Sequence, residues 1–436
     1  MQTKFKQFIF SPLSRFGISQ KLQATALWSM LESFSNPFFT LLLIPIFTRN
    51  LGLESYGVYV IVIAFLSLSS FCSLGMSTSI TYYLAVNNQN SDLNSRAERI
   101  GAALLISLLG TAFFLLTILL SYFFFMQEIN KLFPQLLNYK TIILVTLALL
   151  ISTQLDVVMS AALKGLRFFE ASSKLEFFIR LFSFFMLSIV AIISKSLIMV
   201  IHCLLLLSLL NLTLRYSKLA KLINFSLTQV KLNKESTVEL LHFGKWMTLQ
   251  NISGAIFGSL DKLVLVYFTN ATIVGTYNIL ISVTQLSHYF LANASSFISP
   301  KIAASQASMS ALKQKYIQSL VISILITIFI AIISIAIYPL ISSYFGLSSV
   351  RKEYFILLAG YGILATCVPP YYFALGFGKV KLLSNINALS ALVGIFCIFL
   401  LVEKYGMLGA AVSRLIYTIF VTVTFLIPAL IFKKYK

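Results

Sequence analysis

Asn278, Ser282, Gln285, Tyr289, Asn293 and Ser296 recur at spacings of three or four within an apolar stretch, which places amides, hydroxyls and a phenol on one helix face. Ser29, Glu32, Ser33, Asn36 and Thr40 make a similar face on a helix loosened by Pro37. Asp156, Ser160 and Lys164 stand four apart with Thr153 nearby, and Ser70, Ser73, Ser77 and Thr81 form a hydroxyl stripe. Burying an unpartnered hydroxyl or amide costs about 1–3 kcal/mol. Ser and Thr avoid that cost by bonding to their own helix or by joining neighbouring helices. Asn, Gln, Tyr and carboxylates point instead to a hydrophilic lumen, where they can hydrogen-bond a guest that has left water.

Charges inside apolar stretches form the second set. Each costs about 2.5–3.5 kcal/mol on insertion scales and so needs a partner or a purpose. Arg180 follows Glu176 by four residues, an order that suits a helical ion pair. Asp261 and Lys262 are adjacent, and neighbours on a helix point about 100° apart, so they are no automatic pair. Arg414 either faces a lumen or extends to an interface. Glu32 and Asp156 have no local partner; with Asp261 they are candidates for ion coupling, since a carboxylate held out of water can trade protons. No Ser/His/Asp or paired-carboxylate arrangement exists around His202, His242 or His288, and no Gly-rich phosphate loop is present. Cys72, Cys203, Cys367 and Cys397 are scattered through apolar runs as small hydrophobes. No catalytic residue, metal site or cofactor is expected, and the chain does not read as an enzyme.

The elements that must carry these faces are membrane helices. Hydrophobic residues make up 58% of the 436, charged ones 11%, and the mean hydropathy is +0.91; a soluble domain carries about 25% charged residues. A span needs about 20 apolar residues. Such runs fall at Trp28–Thr48, Gly57–Leu84, Ile100–Phe125, Thr141–Leu163, Leu175–Ile193 and Leu197–Leu214. A second set falls at Trp246–Phe268, Tyr277–Phe297, Tyr316–Tyr338, Tyr354–Leu375, Leu383–Val402 and Met407–Phe432. The fold class is therefore an all-α integral membrane protein of about twelve transmembrane helices. They group as an N-terminal lobe 1–214, a basic connection 215–245 and a C-terminal lobe 246–436.

The cations fix orientation. Arg96, Arg99, Lys164, Arg167, Lys174, Arg215, Lys218, Lys221, Lys313, Lys315, Lys379 and Lys381 fall in segments on the side of the termini, whereas the opposite side holds only Arg49, Lys131, Lys140, Lys195, Arg351, Lys352 and Lys404. Both termini are thus expected in the cytoplasm, and the net charge of +20 is an orientation signal rather than a mark of nucleic-acid binding. The basic amphipathic start, residues 1–23, lacks a signal-peptide core and is expected to lie on the membrane surface.

Phe47, Thr48 and Tyr56 recur in order as Phe268, Thr269 and Tyr277 at one constant offset, which sets Pro37 against Gly258. A weaker echo sets Ala162-Leu163-Lys164-Gly165 against Ala374-Leu375-Gly376. Six spans per half is an even number, so the halves share one orientation, with a substrate path between them.

The run Pro45-Ile46-Phe47-Thr48-Arg49-Asn50-Leu51-Gly52 with Tyr56-Gly57 resembles the start of the Wzx-type O-antigen/polysaccharide flippase family. That family is the polysaccharide transporter branch of the multidrug/oligosaccharidyl-lipid/polysaccharide exporter superfamily. Glu239-Leu-Leu-His-Phe-Gly244, Asp261-Lys262, Val274-Gly275-Thr276-Tyr277 and Tyr405-Gly406-Met407-Leu408-Gly409-Ala410-Ala411 extend the resemblance over both halves. It implies alternating access around a central cavity in a bacterial inner membrane, moving an undecaprenyl-diphosphate-linked oligosaccharide between leaflets. Cation antiport is the implied drive; a polysaccharide polymerase and a chain-length regulator are the implied partners. Sugars would meet Asn36, Asn278, Gln285, Tyr289 and Asn293, and Arg49, Lys164, Arg180, Lys262 and Arg414 are the cations available for the diphosphate. A drug/cation antiporter of the same superfamily would instead need a lumen dominated by carboxylates and aromatics. A polymerase-type enzyme would need a large outer loop with catalytic cations, and the outer connections here are short.

Overall fold

Backbone polar groups in hydrocarbon must be satisfied within the segment, and long apolar runs do so as helices. The structure, a computed structural model, describes residues 20–68, 72–86, 93–124, 140–223, 234–295, 298–303 and 308–434. Among these the regular elements are all helical. The first half holds α1 (Gln20–Leu51), α2 (Leu53–Leu68), α3 (Met76–Val86), α4 (Leu93–Phe124), α5 (Lys140–Gly165), α6 (Phe169–Ser194) and α7 (Leu197–Ile223). The second holds α8 (Lys234–Phe268), α9 (Ala271–Thr284), α10 (Leu286–Ser295), α11 (Ile298–Ala303), α12 (Met309–Phe345), α13 (Arg351–Thr366), α14 (Val368–Gly376), α15 (Val380–Tyr405), α16 (Met407–Val421) and α17 (Leu426–Lys434). Most of the surface arm at 1–23, together with Lys131, Ser70 and Ser296, lies outside the described residues.

Nine stretches among the described residues are helical, long and apolar enough to cross a bilayer. The expected second, seventh and eighth spans depart from that pattern. The second is broken into α2 and α3 at Leu74 and Gly75, both at positive φ. The eighth is broken after Thr284. The seventh is the 35-residue α8, which begins at Lys234. Much of the expected connection 215–245 is therefore helix, since α7 runs to Ile223.

The repeat is visible in packing and in hydrogen bonds. In the first half α1 packs along α6 and α5 along α7; in the second, α8 packs along α15 and α13 along α16. After α5 the amides of Leu166, Arg167 and Phe168 donate to the carbonyls of Ala162, Lys164 and Leu163. After α14 the amides of Phe377, Gly378 and Lys379 donate to Phe373, Leu375 and Ala374 in the same pattern. Gly165 thus matches Gly376, and Arg167 (φ 67°) matches Gly378 (φ 72°). The match of Ala162 to Ala374 read from the sequence is off by one residue; Phe373 is its counterpart.

The two halves meet most closely where α2 and α9 begin, at the end of the bundle away from the termini, called here the far end. A Cβ on Gly57 would lie 1.8 Å from the Ala271 carbonyl oxygen, and one on Gly275 would lie 2.9 Å from that of Leu53. The main apolar core joins both halves there, through Ile44, Phe47, Tyr56, Leu265, Val274, Tyr277 and Tyr354. Toward the terminal end the apolar core divides, one part around Met76, Ile100 and Leu163 that also takes in Leu240 from the start of α8, another around Ile302, Tyr316 and Phe373. We expect Gly57→Ala to force α2 from α9 and cost about 1–3 kcal/mol, seen as a lower Tm in detergent. Gly258→Ala, whose Cβ would meet nothing within 4 Å, should leave the Tm unchanged or higher; equal behaviour of the two variants would refute the close-approach account.

Candidate substrate cavity

A cavity of about 730 Å³ lies between the halves. Span periodicity aims one face of each surrounding helix into it. From α1 come Ser35, Asn36 and Thr40, from α2 Tyr56, Tyr59 and Ser67, and from α6 Arg180 and Ser183. The second half contributes Ser259 and Lys262 from α8, Asn278 and Ser282 from α9, Gln285, and His288 and Tyr289 from α10. Tyr361 of α13 and Arg414 and Tyr417 of α16 complete the polar wall. The broken eighth span therefore presents Asn278, Ser282, Gln285 and Tyr289 along one side, as its periodicity predicts.

Three cations reach this wall, each held differently. Arg414 is 6% exposed and Asp261 wholly buried. The Arg414 Nη2 donates to Asp261 Oδ2, and Nη1 donates to the Tyr361 hydroxyl at 2.7 Å. Asp261 also accepts from the Tyr277 hydroxyl at 2.9 Å and from the Lys262 amide at 2.9 Å. Asp261 thus points into its own half while the Lys262 side chain lines the cavity, in keeping with the divergence expected of adjacent residues. Among the described residues the Lys262 ammonium makes no hydrogen bond or ion pair.

Arg180 belongs to a chain of charges. It forms the expected pair with Glu176 at 2.8 Å and donates to the Glu32 carbonyl at 2.7 Å and the Ser35 hydroxyl at 3.2 Å. Glu176 also binds Arg215, which is 1% exposed and lies 2.7 Å from Asp156. Asn211 donates to Asp156 at 2.9 Å. The Glu32 carboxylate takes Lys164 at 2.6 Å and the Ser173 hydroxyl at 2.6 Å. Glu32 and Asp156 therefore do have partners, supplied by helices distant in sequence. Three carboxylates and three cations balance, with Arg180 the member that faces the cavity.

Of the residues expected in the lumen, Asn36, Arg180, Lys262, Asn278, Gln285, Tyr289 and Arg414 line this cavity. Lys164 is engaged by Glu32, and Arg49 lines a separate pocket beside Tyr344. Asn293 does something else. Pro37 has no amide to return to the Ser33 carbonyl one turn back, and the Asn293 side chain donates to that carbonyl at 3.4 Å. The α3 hydroxyls act as glue: Thr81 bonds the carbonyls of Ser77 and Ala161, and Ser79 that of Leu240. Sequence reading passed over Tyr59, Tyr361, Tyr417 and Arg215. Arg215 counted as an interfacial cation, and a tyrosine in an apolar run carries no signal of where its hydroxyl points. Tyr56 did carry one, its recurrence as Tyr277.

Among the described residues lining the cavity there is no aspartate or glutamate. The wall is cationic, rich in amides and hydroxyls, and supplied with aromatic faces, including Tyr56 and Tyr59 stacked at 6.5 Å. Such a surface can hold an anion by charge-assisted hydrogen bonds and a hydroxyl-rich group by neutral ones.

The backbone is similar to solved transporter structures. One is an inward-facing multidrug resistance MATE family transporter of the MOP superfamily, with a TM-score of 0.69 at 13% identity over 93% of this chain and 98% of that one. The lipid II flippase MurJ in its inward closed conformation gives 0.69 at 16% identity over 92% and 86%. A MOP superfamily transporter from Pyrococcus furiosus Vc1 gives 0.55 at 14% identity over 94% and 95%. At these identities the likeness establishes the fold. No curated protein matches the sequence. Residues 22–303 match the family model described as polysaccharide biosynthesis protein, and the chain belongs to that family, as a multi-pass membrane protein with a transporter fold.

Proposed function

We propose that this protein is a flippase for undecaprenyl-diphosphate-linked oligosaccharide repeat units of O-antigen or a related surface polysaccharide. Its place is a bacterial inner membrane, with the terminal end of the bundle in the cytoplasm. The observation that carries this reading is the cavity wall, which holds Arg180, Lys262 and Arg414 but, among the described residues, no aspartate or glutamate. Arg180 and Arg414 are held from behind by Glu176 and Asp261, and the Lys262 ammonium has no such partner among those residues. A diphosphate wants such cations, and a sugar head of about ten hydroxyls would lose tens of kcal/mol in hydrocarbon unless its hydrogen bonds were replaced. A drug/cation antiporter would need the opposite wall charge. Membership of a polysaccharide biosynthesis family supports the substrate class, and a fold neighbour carries the name lipid II flippase.

The lobes 1–214 and 246–436 would rock about the far-end seam, with the head group in the cavity and the lipid tail left in the bilayer. A polymerase and a chain-length regulator would receive the product. A cation gradient would drive the cycle through Glu32, Asp156 or Asp261. Asp156→Asn can still bond Asn211 but loses its charge and leaves Arg215 with Glu176 alone, so flipping should fall by more than the level of protein in the membrane, measured in parallel; full activity would end its candidacy.

Deletion followed by complementation tests the whole reading, scoring surface polysaccharide and lipid-linked intermediates by leaflet. Accumulation of the lipid-linked unit on the cytoplasmic leaflet is the expected result. Single units exposed outside without polymer would assign the protein to polymerisation instead.

A further inference from the structure

Arg49 is the one expected lumen cation that sits at the far end of the bundle, away from the cavity. It is exposed at the close of α1 and, among the described residues, has no carboxylate partner. Beside it lie two adjoining pockets that share Tyr344 and Phe345 and together form a groove. The deeper part, about 380 Å³, is walled by Leu41 and Pro45 of α1, Ile279 and Val283 of α9, and Leu340 and Tyr344 of α12. The outer part, about 360 Å³, shares Tyr344 and ends at Thr48 and Arg49. From Leu41 to Arg49 the groove follows α1 for about 12 Å at 1.5 Å per residue.

We propose that this groove is a binding site for an anionic phospholipid of the leaflet at the far end. One acyl chain lies between α1, α9 and α12, and the phosphate rests on the Arg49 guanidinium. Three observations select that occupant. The deep wall is formed by apolar side chains and the Tyr344 ring, which suits a hydrocarbon chain already in its own solvent. The cation stands only at the outer end, at the level where a headgroup lies, beside the amphipathic Tyr344 ring typical of that interface. A single uncompensated positive charge matches a phosphodiester, whose charge is one, better than a diphosphate.

The site also has a mechanical consequence. Its walls come from α1 on one side and α9 and α12 on the other, so it spans the seam between the halves. A lipid seated there would stabilise the arrangement in which the far end is closed. The assignment of leaflet rests on the orientation given under the proposed function; the existence of the site does not.

Native mass spectrometry of the purified full chain tests this, with phosphatidylglycerol and phosphatidylcholine of identical acyl chains supplied in equal amounts. The wild type should retain phosphatidylglycerol in preference. Arg49→Gln should reduce that preference about fivefold, the worth of one interfacial cation against an anionic lipid. Leu340→Trp, which narrows the pocket between α1, α9 and α12, should lower retention of both lipids; Leu340 is exposed on the surface of the bundle, so the variant is expected to fold. Equal retention of the two lipids by the wild type, or an unchanged preference in Arg49→Gln, overturns the proposal. Displacement of phosphatidylglycerol by equimolar undecaprenyl phosphate in an Arg49-dependent way would also overturn it, by giving the groove to the carrier lipid. Lipid retention is read without transport, so its failure leaves the flippase reading standing, and failure of complementation leaves this site standing.

Discussion

Arg215→Met should cost about 3–5 kcal/mol, the usual loss when one partner of a buried ion pair is removed. Folded proteins are stable by only about 5–15 kcal/mol, so little properly folded protein is expected. The reason is the local charge count. Arg215 is 1% exposed and touches both Asp156 and Glu176, which sit on different helices from it and from each other. Without its guanidinium, Glu176 keeps Arg180, but Asp156 keeps only the Asn211 amide. The measurement is the Tm in detergent together with the yield of monodisperse protein. The double variant Arg215→Met with Asp156→Leu removes one charge of each sign and leaves Glu176 with Arg180 and Glu32 with Lys164. It should recover most of the loss, because replacing a buried pair by packed hydrophobes is often neutral. A single variant as stable as the wild type would sink the account, and so would a double variant no better than the single.

Lys262→Glu should abolish transport and leave folding intact. Two unit charges 4 Å apart interact by about 4 kcal/mol at an effective dielectric of 20, so reversing this charge turns an attraction for an anionic head group into a repulsion of similar size. Lys262→Gln should lower flipping about 10–100-fold, the range of one lost charge-assisted hydrogen bond, and Lys262→Arg should keep most of it. The contrast with Arg215 is structural. Lys262 makes no ion pair among the described residues, so its loss strands no buried carboxylate. Complementation of a deletion strain measures the effect, with protein level in the membrane followed in parallel. Normal surface polysaccharide from Lys262→Glu would remove this residue from the site, and with it much of the case for an anionic head group in the cavity.

The pattern of the eighth span shows how far local sequence reaches. Asn278, Ser282, Gln285 and Tyr289 share a face because helical periodicity is carried across the break at Gln285, where the amides of Gln285 and Tyr289 still donate to carbonyls four residues back. The same holds for the Glu176–Arg180 pair, whose partners are one turn apart. The stripe of Ser73, Ser77 and Thr81 has equally regular spacing, yet none of the three lines the cavity, and the Thr81 hydroxyl meets the Ala161 carbonyl of α5 instead. Periodicity gives the face but leaves open what the face meets.

Composition and hydropathy alone determined that this chain lives in a bilayer as a bundle of helices, because the cost of bare backbone in hydrocarbon admits little else. The repeated Phe-Thr and Tyr signals determined that it has two like halves. Only the tertiary structure decided which charges neutralise one another, setting Glu32 against Lys164, Asp156 against Arg215 and Asp261 against Arg414. Those partners lie on helices far apart in the chain, and an ion pair depends on a few ångströms in space rather than on spacing along a sequence. The tertiary structure likewise left Lys262 in the cavity and Arg49 outside it, since which way a helix turns is fixed by the neighbours it packs against.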